Sequence, residues 1–103
     1  MSREVHVNFE VRSSEIMKLT LDQMGVGYTE HGDTITAKNS SGYRDISINA
    51  AAGRITYDNS DESHVNKIKQ NYMVNFFRDT AIKEGKQLQE KKLANGTVEL
   101  YLS

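Results

Sequence analysis

The amino-acid sequence predicts an α+β fold, in which an antiparallel sheet carries one short and one long helix on a single face. Three observations support this fold class. Apolar and polar residues alternate near the amino terminus, two helical stripes each end at a glycine, and β-branched residues cluster in short segments between turns. With 103 residues and no linker-like segment, residues 1–103 are expected to form a single domain.

The first elements are predicted to be a strand and a short helix. Apolar side chains occupy every second position of the strand, at Val5, Val7, Phe9 and Val11. Either Ser13 or Ser14 can cap the helix, because a serine hydroxyl accepts a hydrogen bond from a first-turn N–H group. Gly25 is the expected left-handed end of this helix. Its apolar face is expected to contain Ile16, Met17, Leu19, Leu21 and Met24.

Four further strands are predicted in the middle of the chain. They are Val26 to Glu30, Thr34 to Lys38, Tyr43 to Asn49, and Arg54 to Tyr57. Each is short, bounded by glycine or polar turn residues, and rich in residues that favour a pleated surface.

The long helix is predicted from Asp61 to Glu84, with Ser60 as its cap and Gly85 as its end. A broad apolar stripe of this kind usually covers a sheet. If Phe76 lies centrally, its replacement by alanine should cost about 3–5 kcal/mol. The stripe consists of Val65, Ile68, Tyr72, Met73, Phe76, Phe77, Ala81 and Ile82.

A closing hairpin is predicted from Lys86 to Leu102, with its turn at Asn95-Gly96. Leu88 and Leu93 are an odd number of positions apart, so a regular strand cannot turn both towards the core. Either a bulge lies between them or Leu93 belongs to the loop. The order of elements also suggests a strand, helix and hairpin unit that is used twice.

Composition restricts the classes of function. The chain has no cysteine, which excludes disulfides and thiol nucleophiles, and no apolar run approaches the length of a membrane helix. A cytoplasmic protein that does not bind membranes is therefore expected. The net charge is −1, but residues 64 onward are net basic and the preceding part is net acidic. Such a division could favour association with a partner, or it could be ordinary solvated charge.

No motif predicts catalysis, a metal site or a cofactor. His6, His31 and His64 each lack a second ligand at a spacing typical of metal sites. Ser40-Ser41-Gly42 lacks the strand-turn-helix pattern of a nucleophile elbow, and its glycine is explained by turn formation. We therefore expect a protein that is not an enzyme and that carries no cofactor or metal.

Two groups of residues are candidate binding positions. Tyr43, Arg44 and Asp45 at a strand start could bind a small anion or a partner backbone, or could simply form a solvated turn. The basic residues Lys67, Lys69 and Arg78, with Lys83, Lys91 and Lys92, could flank Tyr72 or Tyr101. Positive charge beside an aromatic ring suits single-stranded nucleic acid, although Tyr72 also fits a core position.

Four segments resemble a small uncharacterised family of conserved reading frames from cyanobacteria and algal plastids, with relatives expected in cyanophages. They are Leu21 to Gly25, Tyr43 to Ile48, Gln70 to Tyr72, and Gly85 with Asn95 to Leu100. Family members commonly have arginine where this chain has Asn71, and their tract between the fourth and fifth strands is longer. The resemblance implies a shared fold and lineage, and it implies no activity or site residues.

The function predicted from the sequence is that of a small non-enzymatic binding or assembly protein. Its expected partner is a second copy of itself, as a homodimer, or an unidentified protein to which it is an accessory subunit. The alternative is a protein that binds single-stranded nucleic acid through its basic carboxyl-terminal part.

Overall fold

The computed structural model describes residues 3–85, 88–94 and 98–102. Strands β1 to β5 form a five-stranded antiparallel sheet in the spatial order β1-β5-β4-β3-β2. Helix α1 connects β1 to β2, and helix α2 follows β5. The bounds are β1 Glu4–Asn8, α1 Ser14–Gln23, β2 Tyr28–His31, β3 Thr34–Ala37, β4 Ile46–Asn49, β5 Arg54–Asp58, α2 Glu62–Glu84, β6 Leu88–Lys92 and β7 Val98–Leu102.

The α+β fold class is confirmed, because both helices contribute to one core on the inner face of the sheet. Successive residues of a strand point to opposite faces, so alternate positions of β3, β4 and β5 are buried. The outer face carries mainly hydroxyl, amide and charged side chains. The core consists of Val11, Met17, Leu21, Ile35, Ala37, Ile46, Ile48, Ile55, Tyr57, Val65, Ile68 and Tyr72.

Helix α1 begins as the serine motif predicts. Ser13 is the cap, and its hydroxyl accepts a 3.2 Å hydrogen bond from the backbone N–H of Ile16. The prediction that Leu19 lies on the apolar face is wrong, because 48% of Leu19 is exposed and its neighbour Thr20 is buried instead. Thr20 can be buried because its hydroxyl donates to the Ile16 carbonyl oxygen at 2.7 Å.

Helix α2 begins differently from the prediction. Ser60 is not its cap, since Asn59–Asp61 form a 3₁₀ turn that Asp58 caps by accepting from the Ser60 N–H at 2.9 Å. The helix proper starts at Glu62 and runs for 23 residues. Gly85 ends it in the left-handed conformation, with φ of +67°, as the sequence predicts.

The apolar stripe of α2 packs into the sheet core along the first part of the helix. Val65, Ile68 and Tyr72 are buried in the sheet core, whereas Phe76 and Phe77 are only partly buried. Ile82 is 81% exposed, so its assignment to the buried stripe is wrong. The cause is length: at about 1.5 Å per residue, α2 is about 35 Å long and extends past the end of β1.

The segment predicted as a strand from Tyr43 to Asn49 is a strand only from Ile46 to Asn49. Tyr43, Arg44 and Asp45 instead belong to a loop over residues 38–45, in which the Asn39 amide donates to the Asp45 carboxylate and the Ser41 hydroxyl accepts from the Tyr43 N–H. Asn39 closes a turn within this loop. Its side-chain oxygen accepts from the Gly42 N–H.

The closing hairpin is present but does not join the main sheet. Strands β6 and β7 pair in a regular register from Leu88 opposite Leu102 to Lys92 opposite Val98. This register needs no bulge, and Leu93 follows the strand, as the loop alternative predicts. The Asn95-Gly96 turn lies outside the described residues. The hairpin β2–β3 joins the main sheet and β6–β7 forms its own, so the proposed repeat units do not occupy equivalent places.

Candidate functional site

The feature most suited to binding is the outer edge of β1. The inner edge of β1 pairs with β5, from Glu4 opposite Asp58 to Asn8 opposite Arg54. The N–H of Phe9 donates to the Gly53 carbonyl oxygen at 2.8 Å, and the N–H of Asn59 donates to the Arg3 carbonyl oxygen at 2.8 Å.

Those two hydrogen bonds determine which backbone groups face outward. Along an edge strand of an antiparallel sheet, the backbone groups of every second residue bond to the neighbouring strand, and those of the residues between face outward. Since Arg3 and Phe9 bond to residues 59 and 53, Val5 and Val7 also bond to β5. The N–H and C=O groups of Glu4, His6 and Asn8 therefore point away from the sheet. Their side chains are all exposed.

Ionic and backbone contacts fix the first end of this edge. The guanidinium of Arg44 lies 3.2 Å from the carboxylate of Glu4. Arg3 donates its backbone N–H to Asp58 Oδ1 at 3.0 Å and to Asn59 Oδ1 at 3.2 Å. These contacts hold the beginning of β1 in place against β5.

Asp58 remains ionised at this end of the strand. Burial would raise the pKa of its carboxyl group, but hydrogen bonds from Ser60 and from the Arg3 N–H, with the charge of Arg44, outweigh burial. The net result is a pKa below its ordinary value. The carboxylate therefore stays charged and keeps β1, β5 and the start of α2 together at neutral pH.

An aromatic groove lies at the other end of the edge. The ring of Phe9 packs edge-on against Tyr72, with ring centroids 5.5 Å apart, and Tyr72 stacks with Phe76 at 6.0 Å. The amine of Lys69 lies 6.0 Å from the centre of the Phe9 ring. The groove has a volume of about 290 Å³ and is lined by Phe9, Glu10, Arg12, Tyr72, Met73, Phe76 and Phe77.

The other sheet edge is less suited to binding. Strand β2 has four residues, and only Tyr28 and Glu30 can turn their backbone groups outward, since the Lys38 N–H donates to the Gly27 carbonyl oxygen. Lys18 of α1 lies beside this edge, with its amine 3.4 Å from the Glu30 carboxylate.

The loop of residues 38–45 is anchored by Asp61. One carboxylate oxygen of Asp61 accepts from the Ser40 N–H at 2.9 Å and from the Ser40 hydroxyl at 2.8 Å. The other accepts from the Ser41 hydroxyl at 2.7 Å. Burial would raise the pKa of Asp61, but these serine hydrogen bonds outweigh it and lower the pKa below its ordinary value.

The candidate residues predicted from the sequence do not form one patch. Tyr43 is 62% exposed on the anchored loop, beside Arg44, and the Asp45 carboxylate accepts from the Asn39 amide at 2.8 Å. Arg44 and Lys69 lie at opposite ends of the β1 edge. The two remaining residues, Lys67 and Arg78, are exposed on another side of α2.

Tyr72 is a core residue in this structure. It is 1% exposed, and its hydroxyl accepts from the backbone N–H groups of Arg12 and Ser13. Its ring is therefore not presented to solvent as a stacking surface. The side chain of Tyr101, the other tyrosine considered for stacking, lies outside the described residues.

Sequence reasoning missed the role of Glu4, His6 and Asn8. Their alternation with apolar residues predicts a strand, but it does not reveal whether the strand lies at an edge. The sequence signal for the neighbouring groove is the pair of aromatics Phe76 and Phe77 in the second half of the long helix.

Among the described residues, no cluster of histidine, cysteine and carboxylate side chains is arranged to hold a metal ion. None of the helices in that part of the chain has the length and apolarity needed to cross a membrane. The ring of His6 bonds to the Thr56 hydroxyl at 2.9 Å through Nδ1.

Compared with known proteins, the chain matches no family model, no curated protein and no solved structure.

Proposed function

We propose that this protein is a small non-enzymatic binding or assembly protein, whose partner adds a strand to the edge of β1. The observation that carries the proposal is the row of outward N–H and C=O groups at Glu4, His6 and Asn8. An extended chain that pairs with these groups gains backbone hydrogen bonds without any rearrangement of the sheet.

Two further features support the choice of this edge. The chain contains no proline, and β1 contains no lysine, so two common protections against strand pairing are absent from it. Val5 and Val7 are partly buried on the inner face of the same strand. An added strand would cover the exposed part of both side chains and so contribute apolar burial.

Proline at position 6 tests the proposal. The His6 N–H points away from β5, so His6→Pro removes one outward donor and leaves the β1–β5 hydrogen bonds in place. His6→Ala is the matched control, because it removes the same side chain and keeps the N–H group.

Affinity isolation of each tagged form from the source cells provides the measurement. We expect complexes with the wild type and with His6→Ala, and their loss with His6→Pro. Equal recovery of partners with a folded His6→Pro variant would overturn the proposal.

A further inference from the structure

We propose that the strand added to β1 is β1 of a second copy of this chain, paired antiparallel with His6 opposite His6. This inference rests on the proposed function and identifies the partner. It would join the two five-stranded sheets into one continuous sheet around a twofold axis.

The backbone of β1 is self-complementary in this register. The outward residues Glu4, His6 and Asn8 are symmetric about His6, so Glu4 of each copy lies opposite Asn8 of the other. Every outward N–H and C=O group of the three residues then finds a partner, which gives about six hydrogen bonds across the axis. A shift by one residue would place outward groups opposite groups already bonded to β5.

The side chains on the inner face are complementary as well. In this register Val5 of each copy lies opposite Val7 of the other, in the closely spaced type of antiparallel pair. Two half-buried valines thus become neighbours on each side of the axis. On the outer face, each Glu4 meets a neutral Asn8, and the two glutamates stay apart.

Charge on α2 also favours a second copy. The helix follows β5 at the Glu4 end of β1, and Tyr72 contacts Phe9 at the other end, so α2 and β1 run in the same direction. A twofold axis through His6 therefore makes the two α2 helices antiparallel. Lys69 lies on the side of α2 that faces Phe9 and the β1 edge. Glu62 is about two turns away on the same side of the helix, so in this dimer Glu62 of each copy would approach Lys69 of the other.

Charge reversal tests this arrangement. Glu62→Lys and Lys69→Glu should each raise the dimer dissociation constant roughly tenfold, because each turns two symmetry-related attractions into repulsions. The double variant should have a dissociation constant close to that of the wild type. If the double variant instead loses as much binding free energy as the two single variants together, the helix arrangement is overturned.

A cysteine pair tests the register directly. The natural chain has no cysteine, so a disulfide between Val5→Cys in one chain and Val7→Cys in another can arise only between copies. The closely spaced pair suits disulfide geometry. Oxidation of a mixture of the Val5→Cys and Val7→Cys variants should give clearly more crosslinked dimer than oxidation of Val5→Cys alone. In the sample of Val5→Cys alone, the two cysteines of a dimer are offset along the strands. Equal crosslinking in both samples would overturn the register.

Light scattering of the purified protein at micromolar concentrations completes the test. We expect twice the monomer mass for the wild type and for His6→Ala, and the monomer mass for a folded His6→Pro variant. A wild-type monomer, or a dimer unaffected by His6→Pro, would overturn the inference. If the purified protein is a monomer while its cellular complexes still depend on the His6 N–H, the proposed function stands and only the second copy is rejected.

Discussion

The hydroxyl of Tyr72 accepts a hydrogen bond from the backbone N–H of Arg12 at 2.9 Å, across a separation of 60 residues. It also accepts from Ser13 at 3.2 Å. A side chain of α2 thereby satisfies donors at the entrance to α1, where a helix has no partners of its own. The same ring forms one wall of the aromatic groove, so the groove and the junction of the helices depend on one residue.

Tyr72→Phe should lower the free energy of unfolding by about 1–3 kcal/mol, because it leaves backbone donors without their acceptor and retains the ring. Urea denaturation measures the change. Tyr43→Phe is the matched control, since Tyr43 is 62% exposed, and it should change stability by less than about 0.5 kcal/mol. Equal effects of the two substitutions would contradict the assigned role of the hydroxyl.

Phe76→Ala should destabilise the protein less than Ile68→Ala does. Ile68 is fully buried against the sheet, and its truncation should cost about 2–5 kcal/mol. Phe76 is only partly buried at the groove, so the cost of about 3–5 kcal/mol expected for a central position is too high. Thermal or urea unfolding of the two variants under one condition decides the order. A larger loss for Phe76→Ala would place that ring in the core.

Asp61→Asn should lower the free energy of unfolding at neutral pH by about 1–3 kcal/mol, because charge-assisted hydrogen bonds to Ser40 and Ser41 are weakened. Ser63→Ala, on the exposed first turn of α2, is a control with a small expected effect. Urea denaturation at neutral pH measures both. An unchanged stability for Asp61→Asn would contradict the anchoring of the loop by this carboxylate.

The pH dependence follows from the same carboxylates. The folded-state pKa values of Asp58 and Asp61 lie below the ordinary value of 3.8. Their contribution is therefore fully present above that value and is lost as the pH falls through the folded-state pKa. Wild-type stability should decrease below about pH 4, and Asp61→Asn should show a shallower decrease. Parallel pH profiles for the two proteins would exclude Asp61 as a cause.

The sequence predicts those elements whose signals are local. Ser13 and Gly85 mark helix ends because capping and left-handed backbone depend on only a few neighbouring residues. Alternation through Val5 and Val7 predicts a strand for the same reason. These local rules were sufficient to establish the fold class.

The predictions that failed depend on contacts between distant segments. Ser60 matches the local pattern of a cap, but Asp58, held by the Arg3 N–H, caps a 3₁₀ turn over Asn59–Asp61 that contains Ser60. The pattern around Tyr43 is that of a strand, yet Asp61 accepts hydrogen bonds from the adjoining Ser40 and Ser41 and holds the segment as a loop. For the candidate site, sequence patterns identify β1 as a strand, but its position at an edge follows from the strand order β1-β5-β4-β3-β2, in which β5 is the one described strand that pairs with β1.

Residue-resolved hydrogen exchange of the β1 amides tests the central claim most directly. If a strand adds to this edge in a dimer, the amides of Glu4, His6 and Asn8 should become protected as the protein concentration rises. Those of Val5 and Val7, which bond to β5, should be protected at every concentration. Rapid exchange of Glu4, His6 and Asn8 at all concentrations, beside protected Val5 and Val7, would contradict self-association through this edge.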